Sequence, residues 1–410
     1  EFLGISSEKL MTSPVPVESL TTAAALTVEE AAPQLEEDLR KSLSDGFLSD
    51  VVECSAADVK ALEAIAPWKD FNYRLFRSPA ATSVLRSLLR CKLPGTTNSF
   101  EDVFQAVSCG GTLRGTPQKD HCYLIGGQVR DVLRGKLSTD VDFNYSCTAQ
   151  DVALRTVAQG WPTKFKCIGP VDVPNYVLIG DEGSSCYLEG FCIDFNATKA
   201  CYTNDLTMNT LLYDLTNDVI IDKTGRGVSD IRQHALRLSL AAGETFAQWS
   251  AACITPGGEE LRYIKFFLRA EAKGQPHTYD ADECAHVVAS LRDALRTNAD
   301  ALSGFWLGYT LKDSLQDSKG ITMLHAWVEK HGGPAWWSEQ WEPLIRKCAT
   351  PKALEGISGT GGNSLAVSKA APTSQKPKTA WKAESRTWPS WLSLRRLKSA
   401  HRIVPVGEVS

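Results

Sequence analysis

The sequence predicts an α+β chain, with a mixed β-sheet and flanking helices in its middle and an all-α part after it. Short β-favouring runs recur between about 119 and 225, at 122–125, 141–143, 176–179, 191–193 and 219–221. Helix-like stretches at 128–133 and 149–158 lie between them. After Asp230 the apolar residues return at three- and four-residue spacing to about residue 350. Leu261, Ile264, Phe267 and Leu268 form one such stripe, and Val287, Leu291, Ala294 and Leu295 another.

The flanks follow from composition. Residues 1–50 are rich in Ser, Thr, Ala, Pro and Glu and are expected to be a disordered, acidic lead-in. Residues 51–115 read as a helical N-terminal segment, with Val84, Leu85, Leu88 and Leu89 on one face. The mixed domain is placed at 116–238 and the helical body at 239–352. Residues 353–410 read as a Gly/Ser/Thr/Pro/Lys linker and a basic, Trp-bearing tail. The formal net charge of −4 conceals a dipolar chain, with −9 over residues 1–63 and +8 over 364–403. Such a segment suits phosphates and stacked bases, and equally a solvated tail or a membrane-surface patch. Trp306, Trp336, Trp337 and Trp341 are expected to pack the helical core rather than to stack bases.

Several classes are excluded as readings. At 43% hydrophobic residues over 410 positions the chain builds a substantial core. No apolar run approaches the ~18–20 residues of a membrane span. The 12 cysteines never fall in a C-x-x-C pair, so an intracellular, reducing compartment is expected, without structural zinc. The chain begins at Glu1, and its acidic first residues lack the basic start and apolar segment of a signal peptide.

The chemistry is concentrated in residues 123–143. A β-run ends in Gly126-Gly127 and a helix opens at Gln128. Adjacent glycines let backbone approach a ligand, and a helix start offers free N–H groups, a combination that suits phosphate. Arg130 lies in the first turn, where its fork can take a phosphate oxygen. Asp131 is expected to lock the turn, and Gly135 to end the helix. Asp140 and Asp142 then follow at strand spacing, so both carboxylates share a face. Close carboxylates need a cation between them, and Mg²⁺ is favoured where substrate phosphates complete its shell.

The run G-G-x-V-R-D-x-L-x-G-x₄-D-x-D-F resembles the signature of class II tRNA CCA-adding enzymes and bacterial-type poly(A) polymerases. These belong to the polymerase-β-like nucleotidyltransferases. The resemblance continues at Asp194, at Asn204-Asp205-Leu-Thr-Met-Asn209, from Ile220 through Asp222 and Asp230 to Arg237, and at Glu259 to Lys265. It spans roughly 119–272 and implies a nucleotidyltransferase head followed by a helical neck and RNA-binding body. It also implies that Asp140, Asp142 and Asp194 are catalytic, the first two holding Mg²⁺. Gly126, Gly127 and Arg130 would bind the triphosphate of ATP, or of CTP, and Asp205, Asn209, Glu259, Arg262 and Lys265 would complete the nucleotide pocket. The partner would be an RNA 3′ end, of tRNA or of another RNA. The departures fall on nucleotide selection: Asn204 stands where the family has arginine, Gly258-Glu259 where it has Glu-Asp, and Lys265 where it has arginine. They also motivate a second reading, a nucleotide- or RNA-binding module that kept the fold and lost turnover.

Overall fold

In the computed structural model the described residues are 26–63, 72–93, 97–108, 112–113, 116–117, 122–138, 141–145, 163–166, 176–179, 188–192, 205–241, 243–252, 256–302 and 307–354, with residues 156, 158 and 160. Asp140, Asp194, Asn204, Trp306 and the basic tail lie outside them, as does most of the helix expected at 149–158.

The strands of the main sheet, in chain order, are β1 (Val52–Glu53), β2 (Arg74–Arg77), β3 (Cys122–Ile125), β4 (Val141–Tyr145), β5 (Thr163–Lys166), β6 (Tyr176–Ile179), β7 (Leu188–Cys192), β8 (Leu211–Asp214) and β9 (Val219–Asp222). Their spatial order is β1-β2-β9-β8-β3-β4-β7-β6-β5. The sheet is mixed as expected: β4 and β7 run parallel, while the other neighbours pair antiparallel. Cys122, Leu124, Val141, Phe143 and Tyr145 enter the large core, whereas Tyr123, Ile125, Leu212 and Ile221 pack in a smaller cluster. Alternate residues of β3 thus serve opposite faces, as strand geometry requires.

The helices that matter here are α1 (Val28–Lys41), α2 (Ala56–Glu63), α3 (Pro79–Arg90), α4 (Phe100–Ser108), α5 (Gly127–Leu133), α6 (Gly227–Arg232), α7 (Phe246–Ala252), α8 (Gly258–Ala272), α9 (Ala281–Ala301) and α10 (Ser318–Gly332). The expected α8 stripe is buried at Leu261, Ile264, Phe267 and Leu268, and packs with Val287, Leu291 and Leu295 of α9. Trp336, Trp337 and Trp341 are buried, the last two bounding a π-helical turn, so packing claims them.

Two expectations are corrected. The disordered lead-in does not hold for residues 28–48, which form α1 and a small hairpin, Leu43–Ser44 with Phe47–Leu48. Thr27 and Glu30 make a capping box, and Val28, Ala31, Leu35 and Leu39 line a buried stripe that the acidic composition masks. Gly135 explains where the hairpin docks: a Cβ there would stand 2.5 Å from a methyl carbon of Leu43. The segment 51–115 is also not purely helical. Its β1 and β2 join the main sheet, with Arg74, Leu75 and Phe76 in register with Asp222, Ile221 and Ile220.

Candidate functional site

The site starts where β3 stops. Gly126 adopts φ 68°, a backbone region that side chains other than glycine's rarely enter, and α5 opens at Gly127. Strand β4 lies against β3 with Asp142 in register with Ile125. A Cβ on Gly126 would stand 3.7 Å from Asp142 Oδ2, so the carboxylate borders the bare turn. The parallel register places Glu189 of β7 opposite Asp142, on the other side from Ile125.

Arg130 is the hub of the described site. Its Nε and Nη2 donate to the two carboxylate oxygens of Asp131 at 2.8 and 2.9 Å. Its Nη1 donates to Asn209 Oδ1 at 2.6 Å. Asn209 Nδ2 donates in turn to both oxygens of Asp205 at 3.0 Å, and Arg262 Nε donates to Asp205 Oδ2 at 2.5 Å. A relay Asp131–Arg130–Asn209–Asp205–Arg262 therefore joins the glycine turn to α8. The ring of Phe266, one helical turn beyond Arg262, lies 4.9 Å beneath the Arg130 guanidinium, a cation–π contact. A Cβ on Gly127 would meet Arg130 Nη2 at 3.3 Å, so the guanidinium lies close above the turn.

The segment 205–209 is held rigidly by a downstream motif. Asp222, at the end of β9, accepts from Val228 N at 2.9 Å and Thr224 Oγ1 at 3.2 Å, fixing the start of α6. Asp230 on α6 accepts from Thr207 Oγ1 at 2.7 Å and pairs with Arg237 at 3.3 Å. A Cβ on Gly227 would stand 2.5 Å from the Thr207 carbonyl oxygen, so only glycine lets α6 approach so closely. Asp222 and Asp230 thus act structurally, positioning Asp205 and Asn209. Burial raises both carboxyl pKa values, and their hydrogen bonds oppose the rise.

On α8, Glu259 is buried and its Oε2 has no hydrogen-bond partner among the described residues. Burial, with Glu260 and Asp205 adding, pushes its carboxyl up to about 7, while Arg262 opposes. Burial with the neighbouring Arg269 and Arg262 pulls Lys265 down to about 8. Glu260 turns the other way, accepting from Ser290 Oγ at 2.5 Å between α8 and α9.

Of the residues expected at the site, Gly126, Gly127, Arg130, Asp142, Asp205, Asn209, Glu259, Arg262 and Lys265 are described, and the relay links Arg130, Asn209, Asp205 and Arg262 directly. Asp131 differs from expectation: its side chain clamps Arg130 rather than only bracing the turn. Phe266 was not singled out from sequence, although its four-residue spacing from Arg262 places both on one face. Among the described residues no group of three or more His, Cys, Asp or Glu is arranged to hold a metal ion. The donor chemistry fits a hard divalent cation all the same, since Asp142 offers carboxylate oxygen beside the side-chain-free Gly126 turn.

An α+β fold whose glycine turn, aspartate strand and arginine-bearing helix converge is of the kind the sequence resemblance implies. No family model matches the chain. Among curated proteins it is similar to a multifunctional CCA protein of Xylella fastidiosa (strain 9a5c), at 28% identity over 124 residues. That match covers 28% of this chain and 29% of the relative, so the chain spans under a third of the curated relative's length. Among solved structures it is similar to a tRNA nucleotidyltransferase complexed with a primer tRNA and an incoming ATP analog, at 20% identity and TM-score 0.37, covering 56% and 63% of the two chains. A Thermotoga maritima CCA-adding enzyme complexed with tRNA is similar at 14% identity and TM-score 0.35, covering 57% and 63%.

Proposed function

We propose that this chain is a template-independent RNA 3′-nucleotidyltransferase, adding AMP, CMP or both to an RNA 3′ end. The observation that carries the reading is the relay, which unites three sequence-distant motifs, around Arg130, Asp205 and Arg262, in one continuous site. In this reading the N–H groups at Gly126-Gly127 and the Arg130 guanidinium bind the triphosphate. Asp131 and Phe266 set the plane of that guanidinium. Asp205 orients Arg262 toward the base edge, with Glu259 beside it and Lys265 toward the phosphates. Asp140 and Asp142 would hold Mg²⁺, which when bound supplies charge neutralisation at the phosphates and lowers the pKa of the attacking hydroxyl. The 28% identity with a multifunctional CCA protein supports CCA addition, with tRNA as the RNA proposed, and polyadenylation is the finer alternative. A reducing intracellular compartment is proposed as its setting.

The test is nucleotide incorporation with Mg²⁺ and labelled ATP or CTP, on tRNA ending before CCA and on an oligo(A) primer. The Asp140→Ala/Asp142→Ala variant serves as the blank. Addition of C, C and A is the expected result, and long A tails would redirect the proposal to polyadenylation. Incorporation no higher than the blank, with ATP still bound, would leave the binding-module reading.

A further inference from the structure

A cavity of about 410 Å³ lies outside the relay, lined by Asn72, Arg74, Thr224, Gly225 and Arg226, with Leu240 on its apolar side. The sheet register fixes its position. Arg74 pairs with Asp222 and Asp222 with Leu211, while Leu212 pairs with Ile125 and Ile125 with Asp142. The cavity and the Gly126–Asp142 site are therefore at the same end of the sheet, with β9 and β8 between them. Three strand spacings of ~4.8 Å put them on the order of 14 Å apart.

Arg74 is held there by the backbone, and Arg226 follows as the residue that precedes α6. A Cβ on Gly225 would stand 2.3 Å from the Asn72 carbonyl oxygen and 3.6 Å from Arg74 Nε, so turn and strand are pressed together. The carboxylates around them are already occupied. Asp222 is bound by Val228 N and Thr224 Oγ1, Asp230 by Thr207 and Arg237, and Glu283 by Leu238 N. Only exposed Glu53 reaches Arg74, at 3.5 Å. Arg226 makes no ion pair within 4 Å among the described residues, and its charge acts from further off on Asp230 and Glu283, opposing the rise that burial gives their carboxyl pKa values. Two guanidinium forks in a polar cavity are suited to phosphate oxygens, which they can bind bidentately.

We propose that this cavity binds a backbone phosphate of the RNA strand whose 3′ end enters the Gly126–Asp142 site, a few nucleotides back from that end. The inference rests on the transferase reading above.

The full chain, its Arg74→Gln/Arg226→Gln variant and an Arg226→Lys companion would be compared for KM toward primer RNA and toward ATP. The salt dependence of RNA binding would be measured beside them. The double variant is expected to raise the RNA KM about tenfold and to lower the slope of log K against log salt by ~0.7 for each phosphate lost. Its ATP KM and its turnover at saturating RNA stay unchanged, and Arg226→Lys keeps the slope, which separates lost charge from a damaged fold. An unaltered RNA KM and slope in the double variant overturns the proposal. So does inorganic phosphate that protects the wild type but not the double variant from thermal unfolding while RNA binding is the same in both, since that assigns the cavity to a free anion. A wild-type chain that incorporates no nucleotide sinks the transferase reading instead.

Discussion

In the proposed nucleotide pocket, Lys265 and Glu259 are the side chains whose protonation would set the working pH. Lys265 is pulled down to about 8, so it is charged below that pH and neutral above it. If it faces the phosphates, KM for ATP should climb as pH rises past about 8, and Lys265→Arg should flatten that limb, because arginine stays charged. A wild-type KM level to pH 9.5 would remove Lys265 from the phosphate contact. Glu259 has the opposite consequence for stability. The unfolded chain releases this proton near the ordinary value of 4.5, whereas the fold keeps it to about 7. Between those values the folded state binds more protons, so stability falls as pH rises. Glu259→Gln should therefore melt less differently at pH 5 and pH 7.5 than the wild type does, as calorimetry would record.

At the scale of elements, the turn between β9 and α6 anchors both the nucleotide pocket and the arginine cavity. Gly225 has φ 67° and lies against the Asn72 carbonyl, so Gly225→Ala has neither the backbone freedom nor the space it needs. A loss of about 2–4 kcal/mol is expected from the strain and the overlap combined, read as a lower urea midpoint. A midpoint equal to wild type would mean that β2 is not pressed on this turn. The sequence made these elements legible unevenly. The β3–α5 turn and the α8 stripe could be read directly because their periodicity is local and strong. The Phe266 ring beneath Arg130 could not, since it depends on how α5 and α8 meet, and Asp131's clamp depends on side-chain rotamers that periodicity does not report. Composition concealed α1, because four buried apolar residues on a helix rich in acids look like a solvated tail until the Thr27–Glu30 cap is noticed.

For the whole molecule, the sheet does not begin at residue 116, where the patterning placed the start of the transferase head. β1 and β2 cover the edge of β9, and short arginine-rich strands such as β2 were hard to recognise without their partner. A chain starting at 116 would leave the β9 edge bare, with Ile220 and Ile221 beside it. Such edges template association between chains, so the truncated protein is expected to elute as aggregate in size-exclusion chromatography. A soluble, monomeric product would show that the first strands are dispensable.

The pairing of β2 with β9 also sets a schedule for synthesis. Arg74 leaves the ribosome well before Asp222, its register partner, has been made. At ~5–20 residues per second, a gap of about 150 residues lasts roughly 8–30 s. During that interval Leu75 and Phe76, both buried in the finished protein, are exposed to whatever else binds nascent apolar chain. Slowing translation should therefore lengthen the time for which a holding chaperone is needed, and a chain whose β2 sequence is moved behind β9 should need it less.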